Sequence, residues 1–497
     1  MDRDNGRGDG LATARTPASV AVVGGGIAGL ATSYFLQEGA RAAGRKLECF
    51  LIEGANRLGG KIVTDRSDGF VVEGGPDCFL TQKPWALDLC RRLGLEDRLI
   101  GTNDASRKVY ILWKGRMHRL PDGVLLIVPT RFRPFALSGL ISPLGKLRMG
   151  LDVIVPPRRK GGDESVADFV RRRLGGEALD KIAEPLMGGI HVSDPERQSL
   201  LATFPRFAEI ERKHGSLVRG MMAARRARPR GGGELPMFMT LQGGLGELIS
   251  TLVARLDGVR VLAGRTVVGL AHDPSGGHVL SLDDGASLAA DAVVLAVPAS
   301  AAARLLAPHD VHLAERLRAI RYVSTATVSL GYRRADIGHR LDGFGFVIPS
   351  KERRRITGCT WSSTKFDGRA PADAVLLRCF LGGAADESSA LLPEEEMVRL
   401  AREELRSLMN LHAEPILTRV FRWQNGHPQY DVGHLDRLVE IDGLCSRHPG
   451  LYLTGSSYRG VGMPDCIHDG ALVAERVLRG LPAVGVEASP GSVAGAR

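Results

Sequence analysis

Aromatic residues make up only 5% of the chain, and its seven cysteines include no C-x-x-C pair. The first shortage argues against a nucleic-acid surface built on base stacking. None of the basic clusters, at Arg158-Arg159-Lys160, Arg171-Arg172-Arg173 and 225–230, is interleaved with aromatics. The second leaves neither a disulfide framework nor a metal-binding pair, so reduced thiols in a cytoplasmic setting are expected. No apolar run reaches the roughly 18–20 residues that a bilayer-spanning helix needs. Residues 1–17 lack an apolar h-region and are expected to be a disordered leader, not a signal peptide, and 483–497 a disordered tail. A G-x-S-x-G nucleophile motif, a paired-carboxylate signature and a histidine cluster at metal spacing are missing too. No metal site is assigned, nor is a catalytic side chain.

Glycine, by contrast, is abundant, with 62 residues in 497, and shows no collagen-like period. Turns and close backbone approaches are the expected use. A composition of 44% hydrophobic and 25% charged residues fits a globular protein, and the length calls for more than one core. The net charge of +10 suits a small polycarboxylate or an anionic membrane surface better than nucleic acid.

The apolar run Ser19–Val23 stops at Gly24-Gly25-Gly26 and passes into Ile27–Leu36, which reads as strand, tight turn and helix. Leu47–Ile52 resumes as a strand that ends on Glu53, completing a βαβ unit. Helical patterning is expected at 85–100 and through 135–230. Strands are expected at 259–262, 266–270, 279–282, 292–297, 322–332, 344–349, 355–361 and 374–382. A long amphipathic helix at 393–410 precedes a last strand at 451–454 and a helix around 467–479.

Gly24-x-Gly26-x-x-Gly29 lies where a dinucleotide fingerprint must lie, between a strand and a helix. Bare backbone at Gly24, Gly25, Gly26 and Gly29 lets a diphosphate approach the helix N-terminus. Glu53 can accept the ribose hydroxyls, and it repels a 2′-phosphate. Arg57, Gly59, Gly60 and Lys61 follow directly and put cations and bare backbone beside the diphosphate, which favours FAD over NAD. The segment Gly455-Ser456 through Val461-Gly462-Met463 repeats the logic of strand, glycine turn and helix. A helix start there could face the electron-rich edge of a reduced flavin.

This order of motifs, with Gly243-Gly244-Leu245, resembles the monoamine oxidase and phytoene desaturase superfamily of flavoproteins. Three segments are more specific: Glu73-Gly74-Gly75-Pro76-Asp77-x-Phe79, then Arg422-Trp423 with Pro428-Gln429-Tyr430 and Gly433-His434, and Gly460 to Ile467. They resemble the oxygen-dependent porphyrinogen oxidases of haem synthesis, over roughly 18–480. The resemblance implies an α/β (α+β) fold with a Rossmann-like FAD-binding domain of the glutathione-reductase and amine-oxidase type, a mixed-sheet substrate domain and a helical domain. We divide the chain accordingly into a discontinuous FAD domain (18–100, 236–304 and 440–482), a helical lid or membrane-facing domain (105–230) and a substrate domain (305–439).

The resemblance further implies FAD as cofactor, O2 as acceptor with peroxide released, and a porphyrinogen as substrate. Gly75 and Pro76 would lie near the ring and Val267 near the adenine. Phe344 and Val347 would flank the macrocycle, and Arg107 and Lys83 would reach propionates. Lys83 matches a lysine of the bacterial enzymes acting on coproporphyrinogen III. Asp77 stands where mitochondrial-type protoporphyrinogen oxidases carry arginine and cannot neutralise a propionate, so coproporphyrinogen III is favoured over protoporphyrinogen IX. Contact with the inner face of the cell membrane, and a transient one with the next enzyme of haem synthesis, are compatible with this reading. The stretch 120–157, apolar but dotted with Arg133, Lys146 and Arg148, is either a membrane-facing surface or a lid. His191, His214 and His434 read as structural hydrogen-bonders. Competing readings are a carotenoid desaturase, an amine oxidase, or a nucleotide-binding protein without turnover.

Overall fold

The computed structural model describes residues 17–121, 124–125, 127–129, 132–158, 161–226, 235–274 and 276–481. The tails expected to be disordered, apart from Pro17, and the cluster residues 159–160 and 227–230 lie outside them.

Ala18–Val23 is buried along almost its whole length, as befits the centre of a parallel sheet covered on both faces. The sheet has the order Val259–Ala263, Leu47–Glu53, Ala18–Val23, Ala292–Leu295, Leu451–Leu453, and all four pairings are parallel. Alternate side chains go to opposite cores. Val20, Val22, Leu51 and Val294 face the helices Ile27–Ala42 and Met463–Gly480. Ala21, Val23, Ile52 and Val293 face the antiparallel strands Val267–His272, His278–Leu282 and Ser287–Ala290, together with the helices Ala299–Leu306 and Val311–Arg318. The carboxyl ends of the strands deliver Gly24, Glu53 and Gly455 to one edge, where open parallel sheets bind ligands.

A second, mixed sheet has the order Leu417–Pro428, Tyr322–Arg333, Ala374–Gly382, Gly358–Trp361, Gly345–Val347, Val109–Trp113, Arg116–Arg119. The helix Glu394–Met409 covers one face of it. Met397, Ala401 and Leu405 are buried there at helical spacing, three glutamates occupy the first turn, and Asn410 ends the helix in the left-handed region at φ 54°. From the opposite face, Ile111 and Val347 pack into the core of the helical unit at 132–226.

That unit is organised around a fully buried ion pair. Arg173 donates through Nε to Asp152 Oδ1 at 2.6 Å, and through Nη2 to the carbonyls of Asp152 and Gly215 at 2.8 and 2.9 Å. Asp152 Oδ2 accepts from the Ser216 hydroxyl and the Val218 amide at 2.6 and 2.9 Å.

Several elements depart from the expected ones. Strands Val109–Trp113 and Arg116–Arg119 pair into the mixed sheet, so this part of 105–230 packs as sheet and not as helix. The expected helix at 85–100 stops after Arg92, where Gly94 turns the chain at φ 75° toward the strand Leu99–Gly101. Leu417–Pro428 is a twelve-residue strand without apolar alternation, because it lies at the sheet edge and is half exposed. The final helix starts at Met463, four residues earlier than the pattern suggests, because Pro464 fits its first turn.

Removing one partner of a buried ion pair costs about 3–5 kcal/mol, the lower end applying here because Glu211 stays 3.4 Å from Arg173. Asp152→Ala should destabilise the protein by that amount in urea denaturation, with hydrogen exchange rising first in 132–226. Exchange rising uniformly across all units would contradict the placement of the pair at the centre of this unit.

Candidate functional site

The loop after the first strand closes backbone on backbone. Gly24 has φ 110°, and a Cβ there would come within 2.6 Å of the Ala296 carbonyl oxygen. A Cβ on Gly29 would run into the Gly24 oxygen. The second glycine pair packs against the first, with the Gly59 amide donating to the Gly25 carbonyl at 2.8 Å. A Cβ on Gly60 would stand 3.0 Å from the Gly26 Cα. Glu53 is held by the Gly25 and Ala55 amides at 2.6 and 2.8 Å, one on each oxygen, which leaves a lone pair on each for further donors. Helix Ile27–Ala42 has no side-chain cap and no acid in its first turn, so its leading amides are free to meet an anion. Arg57 donates to the Gly60 carbonyl at 2.7 Å. The Lys61 ammonium donates to the Gly426 carbonyl, and burial pushes its pKa down. Val267 is buried with Ile52 in the core behind Glu53. Gly24, Gly25, Gly29, Gly59 and Gly60 thus form, with Gly26, Glu53, Arg57 and Lys61, one continuous cradle in which a side chain at any of those five glycines would meet its neighbours.

Gly74-Gly75-Pro76 meets this cradle, since a Cβ on Gly75 would run into the Lys61 carbonyl oxygen. Three adjacent strands of the mixed sheet pin the turn from below. The Gly74 carbonyl accepts from Trp423 Nε1 at 2.9 Å, Arg378 at 3.3 Å and the Thr327 hydroxyl at 3.4 Å, and Arg378 reaches the Gly75 carbonyl at 2.5 Å. Trp423 was visible as part of a motif, whereas Arg378 was missed. Its signal was a lone arginine inside the buried apolar strand Ala374–Gly382.

Asp77, read as unable to bind a propionate, is ion-paired to Lys365 at 2.7 Å. Burial raises its pKa, but the charges of Lys365 and Arg378 outweigh this and hold the carboxyl well below its usual range. Glu73, just before the turn, accepts from the Leu245 amide and the Thr64 hydroxyl, each at 2.7 Å. Burial raises it to about 7 despite these bonds.

The last segment closes the site. Asp469 takes the Thr454 hydroxyl at 2.7 Å and the Gly455 amide at 3.3 Å. Tyr430 donates its hydroxyl to the Ser456 carbonyl and accepts the Gly460 amide, both at 2.8 Å, and so clamps the turn. His434 stacks on Tyr430 and bonds the Tyr458 carbonyl at 2.8 Å, which is a structural role. Val461 and Gly462 are half-buried, Met463 is buried, and the helix that begins there has no side-chain cap.

The residues read as substrate-binding fall into two groups. Lys83 lies against Asp465 in the first turn of the last helix, its ammonium 2.7 Å from both carboxylate oxygens. The other group stands on the mixed sheet. Phe344 donates its amide to the carbonyl of Lys108, the neighbour of Arg107, at 2.7 Å, and Val347 faces the helical unit. Arg107 itself is exposed beside Asp104.

Residues 27–478 match the family of flavin containing amine oxidoreductases. The coproporphyrinogen III oxidase of Bacillus subtilis (strain 168) is 38% identical over 458 residues, covering 91% of this chain and 96% of that protein. The protoporphyrinogen oxidase of Bos taurus is 32% identical, covering 93% and 98%. A crystal structure from Exiguobacterium sp. 255-15, assigned to the protoporphyrinogen oxidases, superposes with a TM-score of 0.82 at 32% identity, covering 93% and 98%.

Glu73 carries a pH prediction. Its folded pKa of about 7 lies above its ordinary 4.5, so the folded state holds a proton that the unfolded state has released. The resulting stability is fully present below about 4.5 and is lost as pH rises through about 7, amounting to roughly 3 kcal/mol. Glu73→Gln should flatten this decline in denaturant titrations run from pH 4 to 8. Parallel curves for the two proteins would show that Glu73 titrates normally.

Proposed function

The chain belongs to the flavin containing amine oxidoreductase family and is a porphyrinogen oxidase of haem biosynthesis, and we propose that its substrate is coproporphyrinogen III and its cofactor FAD. The observation that carries the reading is the meeting of the Gly24–Gly29 loop, the pinned Gly74–Pro76 turn and the uncapped helix at Met463 in a chain similar over 91–93% of its length to coproporphyrinogen III oxidases.

The cradle fits FAD on its own chemistry. Gly24, Gly25, Gly26 and Gly29 would admit the diphosphate to the open helix start, with Arg57, Gly59, Gly60 and Lys61 beside it. Glu53 would take the ribose hydroxyls on its remaining lone pairs, with Val267 behind the adenine. Gly75, Pro76, Gly455, Ser456, Val461, Gly462 and Met463 would surround the ring. When bound, FAD supplies the two-electron acceptor that O2 re-oxidises.

The chain's own residues do the rest. Trp423, Arg378 and Thr327 fix the Gly74–Pro76 turn, so the face presented to the macrocycle is rigid. Phe344 and Val347 would flank the macrocycle. Arg107 and Lys83 would receive its carboxylates. Asp77 is committed to Lys365, which favours a substrate whose carboxylates are met elsewhere.

The purified protein should be yellow and release FAD on acid precipitation. It should form about three peroxides per coproporphyrin, from six electrons removed in pairs, when oxygen uptake and porphyrin fluorescence are followed together. Porphyrin formed without any electron acceptor, or no porphyrin at all, would refute the reading.

Among the described residues no helix is long and apolar enough to cross a membrane. A peripheral contact on the inner face of the cell membrane is supported by Leu137, Leu144 and Ile154, which are 88%, 79% and 73% exposed on the helical unit. A transient contact there with the next enzyme of haem synthesis would follow. In flotation assays the protein should rise with anionic vesicles, and Leu137→Ser with Leu144→Ser should abolish this. Wild-type protein staying at the bottom of the gradient would exclude the contact.

A further inference from the structure

Lys83 does not stand as a free cation. Its ammonium sits symmetrically on the Asp465 carboxylate, and the acid is the more enclosed partner, 13% exposed against 44% for the lysine. The carboxylate is wedged at the helix start. A Cβ on Gly460 would meet the Asp465 side chain at 2.4–2.5 Å, and one on Gly462 its Oδ2 at 3.0 Å. From the helical unit His191 faces the same lysine. Burial, and then the charge of Lys83, lowers it to about 4, so at neutral pH the imidazole adds no charge. Lys83 therefore lies where three parts of the molecule meet, with its charge cancelled.

A carboxylate arriving at Lys83 must displace Asp465 or meet its repulsion. We propose that Asp465 is a specificity-determining residue: a resident carboxylate that holds Lys83 until a substrate propionate takes its place. The proposal rests on the porphyrinogen oxidase reading and names the edge of the site at which that reading discriminates. Exchange conserves the ion pair when the macrocycle presents a propionate at this edge. When it presents a vinyl group, the pair is either broken without replacement or left to crowd an apolar group. Coproporphyrinogen III carries a propionate on every pyrrole, and protoporphyrinogen IX carries vinyls on two of them.

The test uses the flavin-loaded protein and coproporphyrin III as a non-reacting fluorescent probe, in wild type, Asp465→Asn, Lys83→Ala and the double variant. Removing the competitor should tighten binding by roughly tenfold when Lys83 is present, the scale of one charge-assisted hydrogen bond, and by clearly less when Lys83 is absent. Lys83→Ala alone should weaken binding. If Asp465→Asn loses flavin, Asp465→Ser removes the charge with a smaller polar side chain in its place. An equal gain in both backgrounds would mean simple repulsion, and no gain would mean that Asp465 only shapes the helix; either overturns the exchange. A wild type that turns over coproporphyrinogen III normally while giving those results refutes the exchange alone, whereas a wild type that oxidises no porphyrinogen refutes the functional reading beneath it.

Discussion

At the centre of this molecule main chain must touch main chain. Gly24 against Ala296, Gly29 against Gly24, Gly60 against Gly26 and Gly75 against Lys61 leave no room for a β-carbon. One of these contacts closes the Gly24–Gly29 loop on itself, and the other three tie it to the end of Ala292–Leu295, to the Gly59–Gly60 segment and, through Lys61, to the Gly74–Pro76 turn. A methyl group at Gly29 would force the first helix off its own turn, and one at the other three would push apart segments that are distant in sequence. The abundance of glycine is thus only partly a matter of turns, because the chain uses the residue where its layers are closest.

Rigidity at that meeting point comes from the other sheet. A carbonyl oxygen has two lone pairs, yet the Gly74 oxygen faces donors from three neighbouring strands, and Arg378 extends the grip to Gly75. Beneath the same turn lie Glu73, Asp77, Lys365 and Arg369. Buried charges are costly unless paired, and Asp77 and Lys365 pair each other between the turn and the short helix Ser362–Lys365 that follows a strand of the mixed sheet. The position of the turn on the mixed sheet is thereby tied to a few directed bonds and not to apolar packing alone.

The parts of this architecture that could be read in the sequence are those whose signals are local. Ala18–Val23 with its glycine turn, and the helix Glu394–Met409, follow from runs and spacings within a score of residues. The strand Leu417–Pro428 escaped because an exposed edge imposes no alternation. Lys83 was legible as a cation, but its partner lies 382 residues away, and no spacing rule connects them. Arg378 was likewise invisible as a site residue, since only the folded sheet shows what a buried arginine reaches.

The order of strands in the parallel sheet has a consequence for biosynthesis. Its middle is made first, at Ala18–Val23 and Leu47–Glu53. The neighbour Ala292–Leu295 and the edge Leu451–Leu453 emerge from the ribosome some hundreds of residues later. Until then Val20, Val22 and Leu51 have no Met463–Gly480 helix to cover them, and Asp469 is not yet there to hold the Gly455 turn. The growing chain must carry an unfinished, apolar sheet through most of its translation, while the mixed sheet and the helical unit are synthesised in between. Building one sheet from the two ends of a long chain therefore delays its closure until the last strand and helix have been made.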